Sequence, residues 1–261
     1  MGSFDARAVG VNPPCAAVLL PASPEPQNMG HLTSGFEHIW GCPAMCAIEV
    51  NNLSFAYSDG RVVLSDISFS VYAGETFVIA GPSGSGKTTL CHILCGIIPH
   101  AIKGNLKGEI TVIDINPAKA DLPQTSLRIG MVFQDADSQL ICTTVEDELA
   151  FGLENLCWSP EEIRSRVEEL IEEFGFDTLR HVNPTRLSTG EKKLLTIAAV
   201  LAPSPPILVL DEPMRDLDSD GRKLVQTAIR KQQENGCTVI IAEHDLKKVP
   251  HADRWIQLDQ Y

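Results

Sequence analysis

The stretch that decides the fold is Gly81-Pro82-Ser83-Gly84-Ser85-Gly86-Lys87-Thr88-Thr89, which fits the pattern G-x-x-x-x-G-K-[ST] at every fixed position. A short apolar run at residues 76–80 precedes this stretch and predicts a buried strand, and residues 89–95 after it predict a helix. Strand, glycine-rich loop and helix in this order are the context in which the pattern forms a phosphate-binding loop. We therefore expect a nucleotide site here. The alternative is a glycine-rich turn without a ligand.

The backbone of this loop and two of its side chains supply the expected chemistry. Glycines let consecutive N–H groups turn towards a phosphate, and the following helix directs the positive end of its dipole at the same anion. Lys87 adds a mobile cation for the outer phosphates, and the hydroxyl of Thr88 is a ligand for Mg²⁺. All residues of the quoted stretch are therefore candidate nucleotide-binding residues.

Composition limits the class of protein. The chain has 261 residues, of which 44% are hydrophobic, a formal net charge of −13 and eight cysteines without a C-x-x-C pair. No apolar run approaches the roughly 20 residues that span a bilayer, so we expect a soluble or peripheral protein. The negative charge argues against nucleic acid as a partner. The scattered cysteines favour reduced thiols in a cytoplasm over a disulfide framework.

The chain divides at about residue 45. Prolines interrupt residues 1–44, which show no helical or strand period, and this predicts a disordered tail. Ordered sequence starts abruptly at Met45, so translation starting at Met45 is a further hypothesis. Residues 45–261 predict one α/β domain. Within it, residues 47–71 predict a small antiparallel sheet, and residues 140–182 predict a mostly helical lobe inserted in the core.

Polar residues follow three further predicted strands, at the sheet edge where α/β proteins bind ligands. Asp211 could hold Mg²⁺ through water and Glu212 could polarise a water for attack, although a helix cap would also explain them. Gln134 could reach both Mg²⁺ and the attacking water, or it could be an ordinary loop residue. His244 could bond the γ-phosphate, the alternative being an exposed loop histidine.

Two more groups could contact a nucleotide. Tyr57 precedes the turn signal Ser-Asp-Gly and could stack on a base, or it could be a half-buried strand residue. Residues 187–191, Leu-Ser-Thr-Gly-Glu, open a predicted helix, where Ser188, Gly190 and free N–H groups could form a second anion site. An ordinary helix cap would account for the same residues.

In this order, the motifs resemble those of the ATP-binding cassette (ABC) family, over about residues 48–258. The resemblance implies a RecA-like phosphate-loop NTPase core, an N-terminal antiparallel β subdomain and an inserted helical subdomain. It implies an ATPase whose catalytic residues are Lys87, Gln134, Glu212 and His244. It also implies Thr88, Gln134 and Asp211 as ligands of Mg²⁺, and it adds Tyr57, Ser188, Gly190 and Glu191 to the residues that bind ATP.

The same resemblance implies two kinds of partner. A second cassette would bind head to tail, with ATP between the phosphate loop of one copy and residues 187–191 of the other. Transmembrane permease subunits would hold the pair in the cytoplasm, on the inner face of the cell membrane. Residues 132–152 look like the energy-coupling-factor branch, which takes up cobalt, nickel and vitamins.

The sequence departs from the family pattern at six positions: Thr189, Glu191, Lys193, Leu194, Arg215 and Asp216. Residues 187–191 match the signature motif of the family, which usually reads Leu-Ser-Gly-Gly-Gln, and Thr189 and Glu191 are expected to weaken the second anion site. Three alternatives remain open: a soluble non-transport cassette, a regulatory cassette with weak catalysis, which Thr189 and Glu191 suggest, and a phosphate-loop kinase, which would not need Ser188 or His244.

Overall fold

The computed structural model describes residues 45–249 and 251–259. The predictions for residues 1–44, a disordered tail that precedes a translation start at Met45, lie outside the described residues. The described chain forms two β-sheets with helices packed on them, which confirms the predicted α/β fold.

The elements follow one another in a mixed order. The strands are β1 (Cys46–Tyr57), β2 (Val62–Tyr72), β3 (Thr76–Ala80), β4 (Gly104–Val112), β5 (Ile129–Val132), β6 (Ile207–Asp211), β7 (Thr238–Glu243) and β8 (Arg254–Gln257). The helices are α1 (Lys87–Leu94), α2 (Ile97–His100), α3 (Leu122–Ser126), α4 (Val145–Asn155), α5 (Pro160–Phe174), α6 (Thr189–Leu201) and α7 (Ser219–Glu234).

The smaller sheet is antiparallel, with strand order β2-β1-β4. The N–H of Gly60 donates to the carbonyl oxygen of Tyr57 (2.9 Å) and closes the predicted turn between β1 and β2. The sequence predicted a strand at residues 110–113, whereas β4 begins six residues earlier and ends at Val112. The first part of β4 contains two glycines and two charged residues, which are poor strand formers, so its sequence does not show a strand pattern.

The larger sheet is parallel, with strand order β5-β6-β7-β3-β8. All residues of β3, β6 and β7 are buried, because this sheet is covered on both faces. On one face of the large sheet, Phe77 and Ile79 belong to a hydrophobic cluster with α1 and the small sheet. On the other face, Val78 belongs to a cluster with helices α4 to α7. Because β6, β7 and β3 are neighbours in this parallel sheet, their carboxyl ends lie side by side at one edge of it.

Helix α5 has the ends that its sequence predicts. The hydroxyl of Ser159 accepts from the N–H of Glu162, and the Glu162 carboxylate accepts from the N–H of Ser159, so a capping box is complete. Gly175 ends the helix in the left-handed conformation with φ of +71°. Buried apolar residues of α5 pack with those of α4 and α6 in one cluster.

Candidate nucleotide site

The phosphate loop connects β3 to α1. Lys87, the first residue of α1, folds back across the loop, and its Nζ donates to the carbonyl oxygens of Gly81 and Pro82 (both 2.8 Å). Gly86 has φ of +94°, and a Cβ there would lie 2.9 Å from the side chains of Val63 and Leu64. Only glycine fits this position, because any other residue would be both strained and too close to β2.

A cleft of about 420 Å³ opens above this loop, a volume within the range of small-molecule sites. Predicted site residues from the loop and from three other parts of the chain line it: Tyr57, Ser83, Gly84, Gly86, Lys87, Thr88, Thr89, Gln134 and Glu212. Gly81, Pro82 and Ser85 belong to the loop but do not line the cleft, and Asp211 lines a neighbouring one.

Tyr57 stands at the mouth of the cleft at the end of β1. Its hydroxyl lies 3.0 Å from Oγ1 of Thr89, and its ring meets Phe55 edge-on with centroids 5.0 Å apart. The guanidinium of Arg61 lies 4.9 Å from the centroid of the Tyr57 ring, which is cation–π distance. An aromatic surface is therefore held at the cleft, with a cation beside it.

Glu212 and Gln134 meet at the edge of the large sheet. Gln134 Nε2 donates to Glu212 Oε2 (3.0 Å), and Nη1 of Arg215 lies 3.3 Å from the same oxygen. Glu212 has φ of +47°, a left-handed conformation that non-glycine residues rarely adopt. Strain of this kind is concentrated at functional sites, where the surrounding structure enforces it.

Asp211 ends β6 with a carboxylate that is 1% exposed. Neither of its oxygens has a hydrogen-bond partner of ordinary geometry among the described residues. Burial raises the pKa of this carboxyl, and the neighbouring hydroxyl of Thr88 and ammonium groups of Lys193 and Lys87 partly offset the effect. A buried carboxylate without a well-formed hydrogen bond is costly, and a bound cation would offset this cost.

The residues near Asp211 fit Mg²⁺. Asp211, Thr88 and Gln134 line one cleft, and together they offer carboxylate, hydroxyl and amide oxygens. Among the described residues there is no cluster of three His, Cys, Asp or Glu side chains that could hold a metal. Proteins usually bind Mg²⁺ through one or two carboxylates together with water and substrate phosphates.

The predicted second anion site lies at the start of α6. The Ser188 hydroxyl and N–H donate to Oε2 of Glu191 (2.6 and 2.8 Å), and the Glu191 N–H donates back to the hydroxyl (3.3 Å). Ser188, Gly190 and Glu191 do not line the cleft above the phosphate loop. Within one chain, the structure therefore does not bring them to the nucleotide site.

His244 also lies outside the residues that line this cleft. Its Nδ1 is 2.7 Å from Oε1 of Glu243, a fully buried carboxylate at the end of β7, and its Nε2 is 3.3 Å from Nζ of Lys248. The imidazole is thus held by its neighbours in the chain.

Sequence reasoning gave no role to several charged residues that contact the site. They are Arg61 beside Tyr57, Arg215 beside Glu212, Glu243 beside His244, and Lys193, whose Nζ donates to the carbonyl oxygens of Phe133 and Gln134. None belongs to a motif that predicts these contacts. Arg215 alone could have been suspected, because it stands three residues after Glu212.

A phosphate-loop motif with two carboxylates at the same edge of a parallel sheet is typical of phosphate-loop ATPases. The family model described as "ABC transporter" matches residues 64–215. A Pyrococcus abyssi protein named after this family is 41% identical over 218 residues, which cover 82% of this chain and 78% of that protein. The chain therefore belongs to the ABC transporter family.

The comparisons give its general function. The energy-coupling factor transporter ATP-binding protein EcfA1 of Levilactobacillus brevis is 36% identical over 214 residues, which cover 81% of this chain and 75% of that protein. The family establishes the chain as an ATP-binding subunit of an ABC transporter and as an ATPase, which removes the phosphate-loop kinase as an alternative. Within the described residues no helix is both long and apolar enough to cross a membrane.

Two solved structures share this fold. The cbiO1 protein from Clostridium perfringens, described as part of the ABC transporter complex cbiONQ, is 32% identical with a TM-score of 0.70, covering 83% of this chain and 87% of that one. A dimeric ATP-binding cassette in a post-hydrolysis state, bound to ADP and Pi, is 26% identical with a TM-score of 0.72, covering 82% and 96%.

Proposed function

We propose that the chain hydrolyses ATP to drive uptake of a metal ion or a vitamin through transmembrane permease subunits. It would work as one of a pair of cassettes, in the cytoplasm and peripheral on the inner face of the cell membrane. The similarity to EcfA1, and to cbiO1 as part of the cbiONQ complex, supports the energy-coupling-factor branch. Residues 132–152, which resemble that branch in sequence, support the same assignment.

The side chains at the cleft suggest how ATP is held and cleaved. The loop N–H groups and the start of α1 bind the phosphates, and the ammonium group of Lys87 moves from carbonyl oxygens onto them. Thr88, Gln134 and Asp211 would hold Mg²⁺, which neutralises charge on the β- and γ-phosphate oxygens. The aromatic face of Tyr57 stacks on the base.

Hydrolysis then depends on Glu212, whose carboxylate polarises the attacking water. The hydrogen bond from Gln134 orients this carboxylate in the ligand-free chain. His244 leaves Glu243, turns towards the γ-phosphate and stabilises its developing charge together with Lys87. These roles require an ATP molecule that is closed off from bulk water.

One observation carries the proposal of paired cassettes: Glu212 lines the nucleotide cleft, while Ser188 stands outside it. A second chain can supply the missing anion site if its α6 begins over the open side of the phosphate. ATP binds such a closed pair better than the open one, so it shifts the equilibrium towards closure, and hydrolysis reverses the shift. The dimeric relative bound to ADP and Pi supports this arrangement.

The cleft of about 340 Å³ that Asp211, Thr88 and Gln134 line also has His92, Ile97 and Phe133 in its lining. These three side chains beside Gln134 support docking of a permease at this cleft. The chain that follows exposes two large apolar side chains, Ile141 (64% exposed) and Phe151 (40% exposed). Exposed apolar side chains of this kind are candidates for a protein–protein contact.

The substitution Glu212→Gln tests the catalytic and dimeric parts of the proposal. The amide keeps the shape of the side chain but is a poor base, so turnover should fall at least ~100-fold while ATP still binds. We expect light scattering to show a dimer that persists with ATP, and phosphate release to be nearly abolished. Glu161→Gln, an exposed change at the start of α5, is the matched control. Normal turnover by Glu212→Gln would refute the role of Glu212.

The same variant tests the transport part in cells. When it replaces the native chain, uptake of labelled cobalt, nickel or a vitamin should stop for one of these solutes. Unchanged uptake of all of them would argue for another solute or for a cassette without a permease.

A further inference from the structure

Lys193 is a charged side chain in the protein interior. It lies in the second turn of α6 and is only 3% exposed, although lysine is almost never fully buried without a partner. Its Nζ donates to the main-chain carbonyl oxygens of Phe133 (2.8 Å) and Gln134 (3.1 Å). Burial lowers the pKa of this ammonium group, while nearby carboxylates, that of Asp211 foremost, raise it.

The segment that Lys193 contacts follows β5, and hydrogen bonds with the side chain of Gln139 fix its backbone. Oε1 of Gln139 accepts from the N–H of Phe133 (2.7 Å), and its Nε2 donates to the carbonyl oxygen of Met131 (2.9 Å). The preceding lysine, Lys192, forms an ion pair with Asp137 at 2.6 Å. Helix α6 therefore holds residues 133–139 at two points, and the contact of Lys193 is the buried one.

One further hydrogen bond connects this contact to Glu212. The side chain of Gln134 donates to Glu212 Oε2 (3.0 Å), while its main chain accepts from Lys193. The helix that carries Lys193 begins directly after Ser188. Helix α6, the contact of Lys193 with Gln134 and the hydrogen bond from Gln134 thus connect the start of α6 to the carboxylate of Glu212.

We propose that Lys193 is a positioning residue for ATP hydrolysis: it holds the backbone of Phe133 and Gln134 against α6 and so places the Gln134 side chain against Glu212. An ammonium group suits this task because it donates several hydrogen bonds from one point, and two carbonyl oxygens take two of them. Movement of α6 by a second cassette is then transmitted to Glu212. The inference rests on the roles proposed above for Gln134 and Glu212.

The test replaces Lys193 in the full-length chain and separates binding from turnover. Lys193→Met keeps an unbranched side chain without a donor, and Lys193→Gln keeps one donor on a shorter chain. We expect kcat with MgATP to fall about 10- to 100-fold for methionine and less for glutamine, because small misplacements of catalytic groups have effects of this size. The Kd for ATP should stay within about twofold of wild type, since the loop around Lys87 is untouched. Lys223→Met, which removes an exposed lysine on α7, is the control.

A double-mutant cycle with Gln134→Ala tests whether Lys193 affects hydrolysis through Gln134. If Lys193 acts through Gln134, adding Lys193→Met to Gln134→Ala should cause almost no further loss of kcat. Three outcomes would overturn the inference. The kcat losses of the two single variants could multiply in the double variant, either Lys193 variant could keep the wild-type kcat, or kcat and ATP affinity could fall equally. If Lys193→Met does not fold, the glutamine variant carries the test. Normal hydrolysis by both Gln134→Ala and Glu212→Gln would instead refute the assignment of the catalytic residues.

Discussion

The carboxylate of Glu191 occupies the groups that Ser188 would offer to a phosphate. It accepts hydrogen bonds from both the hydroxyl and the N–H of Ser188, and these bonds hold the pKa of Glu191 below its usual value. The carboxylate is therefore ionised at neutral pH. A nucleotide phosphate that approaches the start of α6 meets this negative charge and must displace it from Ser188.

Glu191→Gln should make ATP-driven pairing easier, because an amide oxygen still accepts from Ser188 but carries no charge. We expect half-maximal dimerisation at an ATP concentration several-fold lower, because about 0.5–1 kcal/mol of repulsion from a half-buried charge is relieved. Light scattering across an ATP titration measures this. Glu162→Gln removes the corresponding charge from the capping box of α5 and is the control. An unchanged titration curve would mean that Glu191 does not oppose the nucleotide.

The residues of the site differ in how far the sequence predicts them. The phosphate loop is one continuous motif, so each of its positions can be assigned from the sequence. Lys193 cannot, because its hydrogen-bond acceptors are main-chain carbonyl oxygens about 60 residues away along the chain. Every residue has a main-chain carbonyl oxygen, so the sequence does not indicate which one accepts the hydrogen bond. Only the packing of α6 on the segment after β5 reveals the contact.

Among the strands of the large sheet, prediction was accurate for the uniformly buried β3 and missed β8, which has no buried residue. The strand predicted at residues 76–80 has the same bounds as β3, since an apolar run between turn residues has few other interpretations. Strand β8 was not predicted. It lies at the edge of the large sheet, and its alternating intermediate and exposed residues include Trp255, which is 57% exposed. Pairing with β3, rather than its own pattern, makes this segment a strand.

Helix α5 permits a stability prediction at the scale of an element. Ser159→Ala removes the hydroxyl that accepts from the N–H of Glu162, so the free energy of unfolding should fall by about 1 kcal/mol. Urea denaturation followed by circular dichroism measures the change. Ser165→Ala, an exposed substitution inside the same helix, is the control and should change stability little. Equal effects of the two substitutions would show that the cap contributes nothing.

At the scale of the whole molecule, the motifs predict the fold class but do not state which copy of the chain supplies each residue. Only the family resemblance implies that residues 187–191 of one copy meet ATP on the phosphate loop of another. The fold keeps Ser188 out of the cleft of its own chain. Pairing of chains reconciles the motif with the geometry, and it can be tested without a structure of the pair.

Ser188→Arg should separate ATP binding from hydrolysis. A long cation at the start of α6 would prevent the close approach of a second chain's γ-phosphate, while the phosphate loop of the same chain is unchanged. We expect the Kd for ATP of the isolated chain to stay near the wild-type value and phosphate release to fall at least ~100-fold. Unaltered turnover would count against any contact between Ser188 and a nucleotide.

Mixing this variant with a second inactive chain tests the pairing itself. Lys87→Ala should also be inactive, because it removes the cation of the phosphate loop. In a mixed head-to-tail dimer, one site combines the intact loop of the Ser188→Arg chain with the intact Ser188 of the other chain. With random pairing, half of the dimers are mixed and each has one good site of two, so about a quarter of wild-type activity should return. If each chain instead cleaved ATP alone, the mixture would stay inactive, since neither chain contains a complete set of residues.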